Sequence, residues 1–485
     1  MEVDVRVMTR SHPSTPIVPA FAGRAVLAIA AVVAVVHLAF GVGGGYWFDE
    51  ALMVAIGRDH LAWGSADQPP LAPALAAVSD WLAPGSIILL RIPAVLATAA
   101  AVVVAALIAR EFGGDRRAQI LTAAAQATAL WASMAGHWLT PYTLEPVQWL
   151  LIVWLLVRWT RVRDDRLLLA LGAVAGIAAE TKFQVLLLCA VLAATAAIFG
   201  PRALFRRPML WAGGGLGLIV ALPTLLWQAR RGWPQLRMGP VVASEAEELY
   251  GGRPGVAVAL IAAAGIAGTV LALYGLWRLL RAQELRRYRF LGVTAVVLYV
   301  FFVVTVGRIY YLAGLYGPLM AAGALGFQER RLAGGGRGWV AWPAYALSGA
   351  AAAGMLVVGH MSANPDTPRT IAQQTSATYR ALPQRDRRST IIMGESYIIA
   401  AYIDVYAPEL PSAYSTNRSY GYFPPPPDSA RSVLYVGTTP DELRAYFGLC
   451  RRLTGGDGYE TQWLCTDRHE SWQAIWPRLR HLTMT

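Results

Sequence analysis

The residues able to do chemistry gather in a few short segments. The first is Tyr46-Trp47-Phe48-Asp49-Glu50, where adjacent carboxylates follow a glycine-rich, aromatic run. Two acids pressed against an apolar interface resist ionisation through desolvation and mutual repulsion, and a raised pKa suits a general base near neutral pH. The plainer reading is an aromatic belt with two solvated acids. In Ala66-Asp67-Gln68-Pro69-Pro70-Leu71, the Pro-Pro pair fixes an extended backbone. It is either a rigid turn or a support that holds Asp67 and Gln68 towards a polar ligand. The third segment runs from His137 to Pro146 and includes Glu145. Joined with Asp49 or Glu50, Glu145 offers oxygen ligands for a divalent cation, and His137 would shift the preference towards zinc. A hydrogen-bonded structural histidine is the alternative. The fourth, Glu180-Thr181-Lys182-Phe183, holds the only lysine among 42 basic residues. An ammonium meets a phosphate as a compact point charge, which a planar guanidinium does not reproduce. Chance survival in a tolerant loop is the other reading. Two weaker features are Gly307-Arg308-Ile309-Tyr310-Tyr311 and the stretch 228–254, where arginines alternate with aromatic residues. Each could hold a phosphate, stack on a sugar ring or anchor the chain at an interface.

These segments must be positioned by something, and the composition says what. The 485 residues are 56% hydrophobic and 15% charged, against about a quarter charged in a typical soluble chain. The apolar residues arrive in blocks of ~17–25, the length that crosses a bilayer. Eleven spans are expected, near 24–44, 86–108, 118–135, 147–158, 167–181, 183–199, 209–227, 255–276, 290–306, 312–327 and 338–360. Between them, alternate loops carry 21 basic residues on one side and 8 on the other. Excess positive charge marks the cytoplasmic side, so the N-terminus is expected in the cytoplasm and the C-terminus outside. The net charge of +12 is then a topology signal, and no nucleic-acid partner is expected. All the candidate segments fall on the outer face. The first apolar run is too long for a cleaved signal peptide, and no repeat of 20–50 residues recurs.

This divides the chain into a cytoplasmic segment (1–23), a membrane body (24–360) with outer loops at 45–85, 136–146 and 228–254, and an outer domain (361–485). The outer domain reads as α/β, with strands at 389–393 and 432–436 and helices near 395–405 and 440–449. Cys450 and Cys465 lie in it, and an oxidising compartment favours a disulfide between them. Cys189 falls inside a span and is expected to be a small buried hydrophobe.

Asp49-Glu50 after the first span, Gln68-Pro69-Pro70-Leu71, an acid in the second outer loop, Thr181-Lys182-Phe183 and Tyr310-Tyr311 occur in an order that resembles the GT-C glycosyltransferases of the protein-O-mannosyltransferase and aminoarabinose-transferase group. The resemblance covers most of residues 20–330. It implies a multi-pass plasma-membrane enzyme that takes a sugar from a polyprenyl-phosphate donor and transfers it, with inversion, to an extracytoplasmic protein, lipid or glycan. Carried over, Asp49 is the general base and Glu50 shapes its site. Lys182 with Arg308 holds the donor phosphate, while Asp67, Gln68, His137, Glu145, Tyr310 and Tyr311 contact substrate. A divalent metal at Asp49 and Glu145 is an open option. Relatives often carry lysine where Gln68 stands, and the missing charge argues against a phosphate-rich acceptor. The rival class is a transporter or flippase of lipid-linked sugars, disfavoured by the absent repeat and by charges that cluster on one face.

Overall fold

A computed structural model describes residues 18–335, 341–454, 456 and 458–483. Arg6, Arg10 and Arg337 of the charge count, and the first residues of the expected span 338–360, lie outside them. The chain is mainly helical, with one small sheet near its C-terminal end.

The helices before the sheet are α1 (Gly23–Gly41), α2 (Phe48–Asp59), α3 (Leu71–Leu82), α4 (Ile87–Glu111), α5 (Arg116–Ala127), α6 (Leu130–Ala135), α7 (Pro141–Val162), α8 (Arg166–Ala179), α9 (Gln184–Phe199), α10 (Pro208–Arg230), α11 (Pro234–Tyr250), α12 (Gly252–Ala262), α13 (Ile266–Arg281), α14 (Arg289–Val304), α15 (Ala313–Leu332), α16 (Ala341–Ser362) and α17 (Asp366–Ala381). Among the described residues, five stretches are long and apolar enough to cross a membrane, or six if the pair α12 and α13 counts as one bent span. Large apolar side chains such as Leu27, Val35, Ile219 and Val300 stay exposed on them. That is the pattern of helices whose outer faces meet hydrocarbon instead of water. Charged residues are few in these stretches, and each helical backbone satisfies its own hydrogen bonds.

Two of the expected spans are broken, and the breaks meet. The third divides at Thr128–Ala129 into α5 and α6, and the eighth divides at Ala263–Gly265 into α12 and α13, bent by 96°. The Leu130 N–H donates to the Ala263 carbonyl across 2.9 Å, so each break satisfies backbone groups freed by the other. Gly265, at φ 81°, is required there, because a Cβ would strike the Thr128 carbonyl. Elsewhere small residues bring helices together. Gly172 of α8 and Gly213 and Gly217 of α10 lie so close to the facing helix that a Cβ would collide with backbone, and one at Gly176 would strike Val220, the small-residue packing typical of membrane helices.

The sheet has strands β1 (Thr390–Gly394), β2 (Ser432–Val436), β3 (Phe447–Thr454) and β4 (Gln462–Arg468), ordered β1-β2-β4-β3. The β1–β2 pair is parallel and the other two pairs are antiparallel. Of residues 440–449, expected as helix, only Asp441–Arg444 is helical, and the chain enters β3 at Phe447. Pairing with β4 overrides local preference there, and the register sets Cys450 directly opposite Cys465, with the two sulfurs bonded. One face of the sheet packs Met393, Val433 and Tyr435 on Trp472 and Trp476. The other face joins Ile392, Leu434 and the helix Tyr397–Tyr406 to Leu52, Val54 and Ile56 of α2. A continuous apolar core therefore ties the C-terminal unit to the helix that carries Asp49.

Candidate active site

Asp49 sits in the first turn of α2, where a carboxylate favours the positive end of the helix. Its Oδ2 accepts a hydrogen bond from the Tyr142 hydroxyl at 3.1 Å, and that hydroxyl accepts one from Trp47 Nε1 at 2.8 Å. Trp47 is itself stacked on the buried Trp138, with ring centroids 4.4 Å apart. Burial pushes the Asp49 carboxyl up to about 6, against the Tyr142 donation and the nearby Arg418 and Arg308 charges, which favour ionisation. Asp49 keeps partial exposure. A base of that pKa, partly open and aimed by a tyrosine, can take a proton near neutral pH.

Glu50 turns the other way. It is fully buried, and its carboxylate receives Arg91 Nε at 3.0 Å, Arg91 Nη2 at 2.5 Å, the Leu139 N–H at 3.1 Å and the Trp47 N–H at 3.1 Å. Arg91 also donates to the Gly41 and Gly45 carbonyls. Glu50 thus fixes the start of α2 against α4 and the loop before α7. It does not stand beside Asp49 as a second reactive acid, which corrects the expectation of an acid pair. Consecutive residues in a helix differ by about 100° in direction, so adjacent acids need not share a face.

Lys182 lies in the turn between α8 and α9. Its Nζ is 3.6 Å from Glu145 Oε2, and it stands over the rings of Tyr310 at 4.8 Å and Tyr311 at 4.4 Å. Among the described residues, neither Lys182 Nζ nor Glu145 Oε1 has a hydrogen-bond partner. Burial lowers the lysine pKa, opposed by the Glu145 charge, and burial raises that of Glu145. The Tyr142 ring packs on Tyr310 at 5.0 Å, so aromatic contacts run from the Asp49 partner to the Lys182 platform. Trp131 stacks on Tyr310 at 4.4 Å and meets Tyr142 edge-on at 5.5 Å. The backbone that presents this platform is irregular. Val306 adopts φ 51°, unusual for a β-branched residue, just before Gly307 and Arg308.

Arg308 reaches Glu245 of α11, and the same carboxylate receives Arg418 from the C-terminal unit. Arg418 also stands 3.9 Å from Asp67, whose Oδ1 accepts from Ser419 at 3.2 Å. Asp67 is close enough for its charge to disfavour ionisation of Asp49, and burial raises the Asp67 pKa itself. Gln68 is buried in its loop, where its backbone N–H donates to Ser65 Oγ and its carbonyl accepts from the Ser65 N–H.

The structure thus gathers Asp49, Asp67, Glu145, Lys182, Arg308, Tyr310 and Tyr311 into one polar cluster. His137 does not join them. It is fully buried beneath Trp138, with Nδ1 3.3 Å from His37 Nδ1 of α1, and packs the loop onto α1. The two carboxylates offered for a divalent cation are turned to other partners. Glu145 faces Lys182, Asp49 faces Tyr142, and among the described residues no three His, Cys, Asp or Glu side chains converge as a ligand set. Three residues that hold the cluster, Tyr142, Glu245 and Arg418, are not singled out by the sequence, although Glu245 falls in the stretch 228–254. Tyr142 lay within a segment already marked; nothing local distinguishes Arg418 among 42 basic residues.

Beside the Lys182 turn, an apolar cavity of about 380 Å³ opens between α7, α8, α9 and α10. Ala179 and Leu186 line it next to the turn, and Leu204 and Phe205 line its far end.

Residues 67–227 match the family model described as dolichyl-phosphate-mannose-protein mannosyltransferase. No curated protein matches the sequence. Among solved structures, ArnT from Cupriavidus metallidurans in the apo state superposes with TM-score 0.65 at 14% identity, covering 92% of this chain and 98% of that one. The same protein bound to undecaprenyl phosphate matches with the same score and coverage at 16% identity. The arabinofuranosyltransferase AftD from Mycobacteria gives TM-score 0.54 at 13% identity, over 93% of this chain and 40% of that one. The Archaeoglobus fulgidus oligosaccharyltransferase with Zn and sulfate gives 0.52 at 13% identity, over 84% and 68%. The chain has the fold of the GT-C glycosyltransferases, as its motifs led one to expect.

Proposed function

We propose that the protein is an integral-membrane glycosyltransferase that moves a sugar from a polyprenyl-phosphate donor to an acceptor hydroxyl outside the membrane. The observation that carries this reading is the pairing of a partly open carboxylate with raised pKa, Asp49, and a lone ammonium on an aromatic platform, Lys182, in one cluster, with an apolar cavity lined by Ala179 and Leu186 on either side of the Lys182 turn. Asp49 takes the proton of the acceptor hydroxyl. The oxygen then attacks the anomeric carbon while the bond from that carbon to the phosphate oxygen breaks. The polyprenyl phosphate departs with the electron pair, its new charge met by Lys182 and Arg308. One displacement inverts the anomeric centre. Tyr310 and Tyr311 supply ring faces for the lysine, and for the C–H surface of a sugar. The apolar cavity has the chemistry to hold part of an isoprenoid chain. The family match over 67–227 and the likeness to a structure with bound undecaprenyl phosphate support the same reading.

The test is a panel of polyprenyl-phosphate sugars offered to the purified protein, with release of polyprenyl phosphate as readout. Asp49→Asn is expected to lose transfer by about a hundredfold or more, the range contributed by a positioned general base, while still binding donor. Unchanged transfer by a folded D49N protein would remove Asp49 from the mechanism.

A further inference from the structure

Two of the guanidiniums beside the cluster are tied to one carboxylate. Glu245 pairs with Arg308 through Oε2 and with Arg418 through Oε1. Arg418 arrives from the C-terminal unit, 173 residues further along the chain. It is 8% exposed and adopts a left-handed backbone, φ 51°. Its N–H donates to the His481 carbonyl at 3.0 Å, and its guanidinium lies 5.5 Å from the centre of the Tyr397 ring. Positive φ at a non-glycine residue persists only where surrounding contacts hold it, so Arg418 is built into place. It is also one of the two arginines whose charge acts on Asp49, the other being Arg308. The helix bearing Glu245 is lightly anchored by comparison: of the 17 residues of α11, only Pro234, Met238 and Ala246 are buried.

We propose that Arg308 and Arg418 together form a phosphate-binding pair, and that Glu245 is its resident counter-ion, displaced when the phosphate of a polyprenyl-phosphate ligand arrives. This rests on the donor reading given above and adds to it a binding residue from the C-terminal unit and a carboxylate that competes with the substrate. Two guanidiniums converging on one acceptor suit an oxyanion, whether carboxylate or phosphate. Two like charges held together at low exposure need a counter-ion when the site is empty, and Glu245 supplies it. Phosphate binding then exchanges one anion for another without exposing an unpaired pair of cations. Displacement of Glu245 frees α11, whose few buried side chains leave it able to shift. The C-terminal unit thereby contributes directly to ligand recognition.

The experiment uses the full chain in nanodiscs and measures equilibrium binding of undecaprenyl phosphate, with undecaprenol as the uncharged control. Arg418→Gln is expected to weaken undecaprenyl phosphate binding by about tenfold, in the range of one lost charge-assisted hydrogen bond, and to leave undecaprenol unchanged. Glu245→Gln is expected to tighten undecaprenyl phosphate binding several-fold, because the competing anion is gone. A general folding defect cannot produce changes of opposite sign. If E245Q weakens binding as R418Q does, Glu245 is a brace and the proposal falls. If both variants bind like the wild type, which itself prefers the phosphate to the alcohol, the proposal falls and the donor reading stands. A wild type that shows no preference for the phosphate overturns both.

Discussion

At the scale of single residues, the decisive feature is how differently Asp49 and Glu50 are treated. One faces a tyrosine and stays partly exposed; the other is locked into an arginine by two hydrogen bonds. Adjacency in sequence made them look like a pair, and only side-chain direction separates them. The Asp49 carboxyl, pushed up to about 6 by burial, makes a pH prediction with a definite sign. The base acts deprotonated, so kcat/KM should fall as pH drops through about 6, not through the ordinary carboxylate range. Tyr142 donates to the ionised form and so holds the value down. Tyr142→Phe should therefore move the acid limb upward by about one pH unit, the equivalent of a hydrogen bond to a charged acceptor. A pH–rate profile of Y142F with an unshifted acid limb would show that this bond does not tune the base. Lys182→Arg is the companion case. The larger fork cannot take the ammonium's place over two rings and beside Glu145, so transfer should drop by about tenfold or more.

At the scale of elements, the start of α2 is held by chemistry remote in sequence. Arg91 of α4 neutralises Glu50 while closing the carbonyls of Gly41 and Gly45. Side-chain exposures of 2% and 0% make this a desolvated pair. Removing one partner leaves a buried charge without its counter-ion, at a cost of about 3–5 kcal/mol. Arg91→Met should lower the thermal midpoint in detergent sharply, and the double variant R91M/E50L should recover much of the loss. A single variant as stable as the wild type would mean that the pair carries little weight. The expected strand positions came close, with β2 at 432–436 and β1 displaced by one residue from 389–393. The two broken spans were not legible, because a helix break inside an apolar run is set by the neighbour that accepts its freed backbone groups. Here that neighbour is the other break, met across Leu130 and Ala263.

At the scale of the whole molecule, arginine placement argues for a C-terminal unit outside the cell membrane and for the α7–α8 connection around Arg163 inside. In a Cys189→Ser background, Ser471→Cys should react with a membrane-impermeant maleimide on intact cells, whereas Arg163→Cys should react only after permeabilisation. Labelling in the reverse pattern would invert the topology and the direction of transfer with it. The continuous core between the sheet and α2 adds a mechanical point: the C-terminal unit is fastened to the element bearing Asp49, so the two should move together.

The sequence by itself determined the class of the molecule. Apolar blocks of bilayer length need no tertiary information, and a lone lysine or an acid at the end of a span is visible in one dimension. It also marked Asp49, Lys182, Glu145 and Tyr310-Tyr311 as residues worth bringing together. Tertiary structure decided which of them meet. It turned Glu50 towards Arg91 and His137 towards His37, and it brought Arg418 from the far end of the chain to Glu245 and Asp67. The reason is physical: hydrophobic periodicity is local and repeats many times along the chain, whereas the partner of a buried charge is chosen once, by whichever helix or loop the packing brings within a few ångströms.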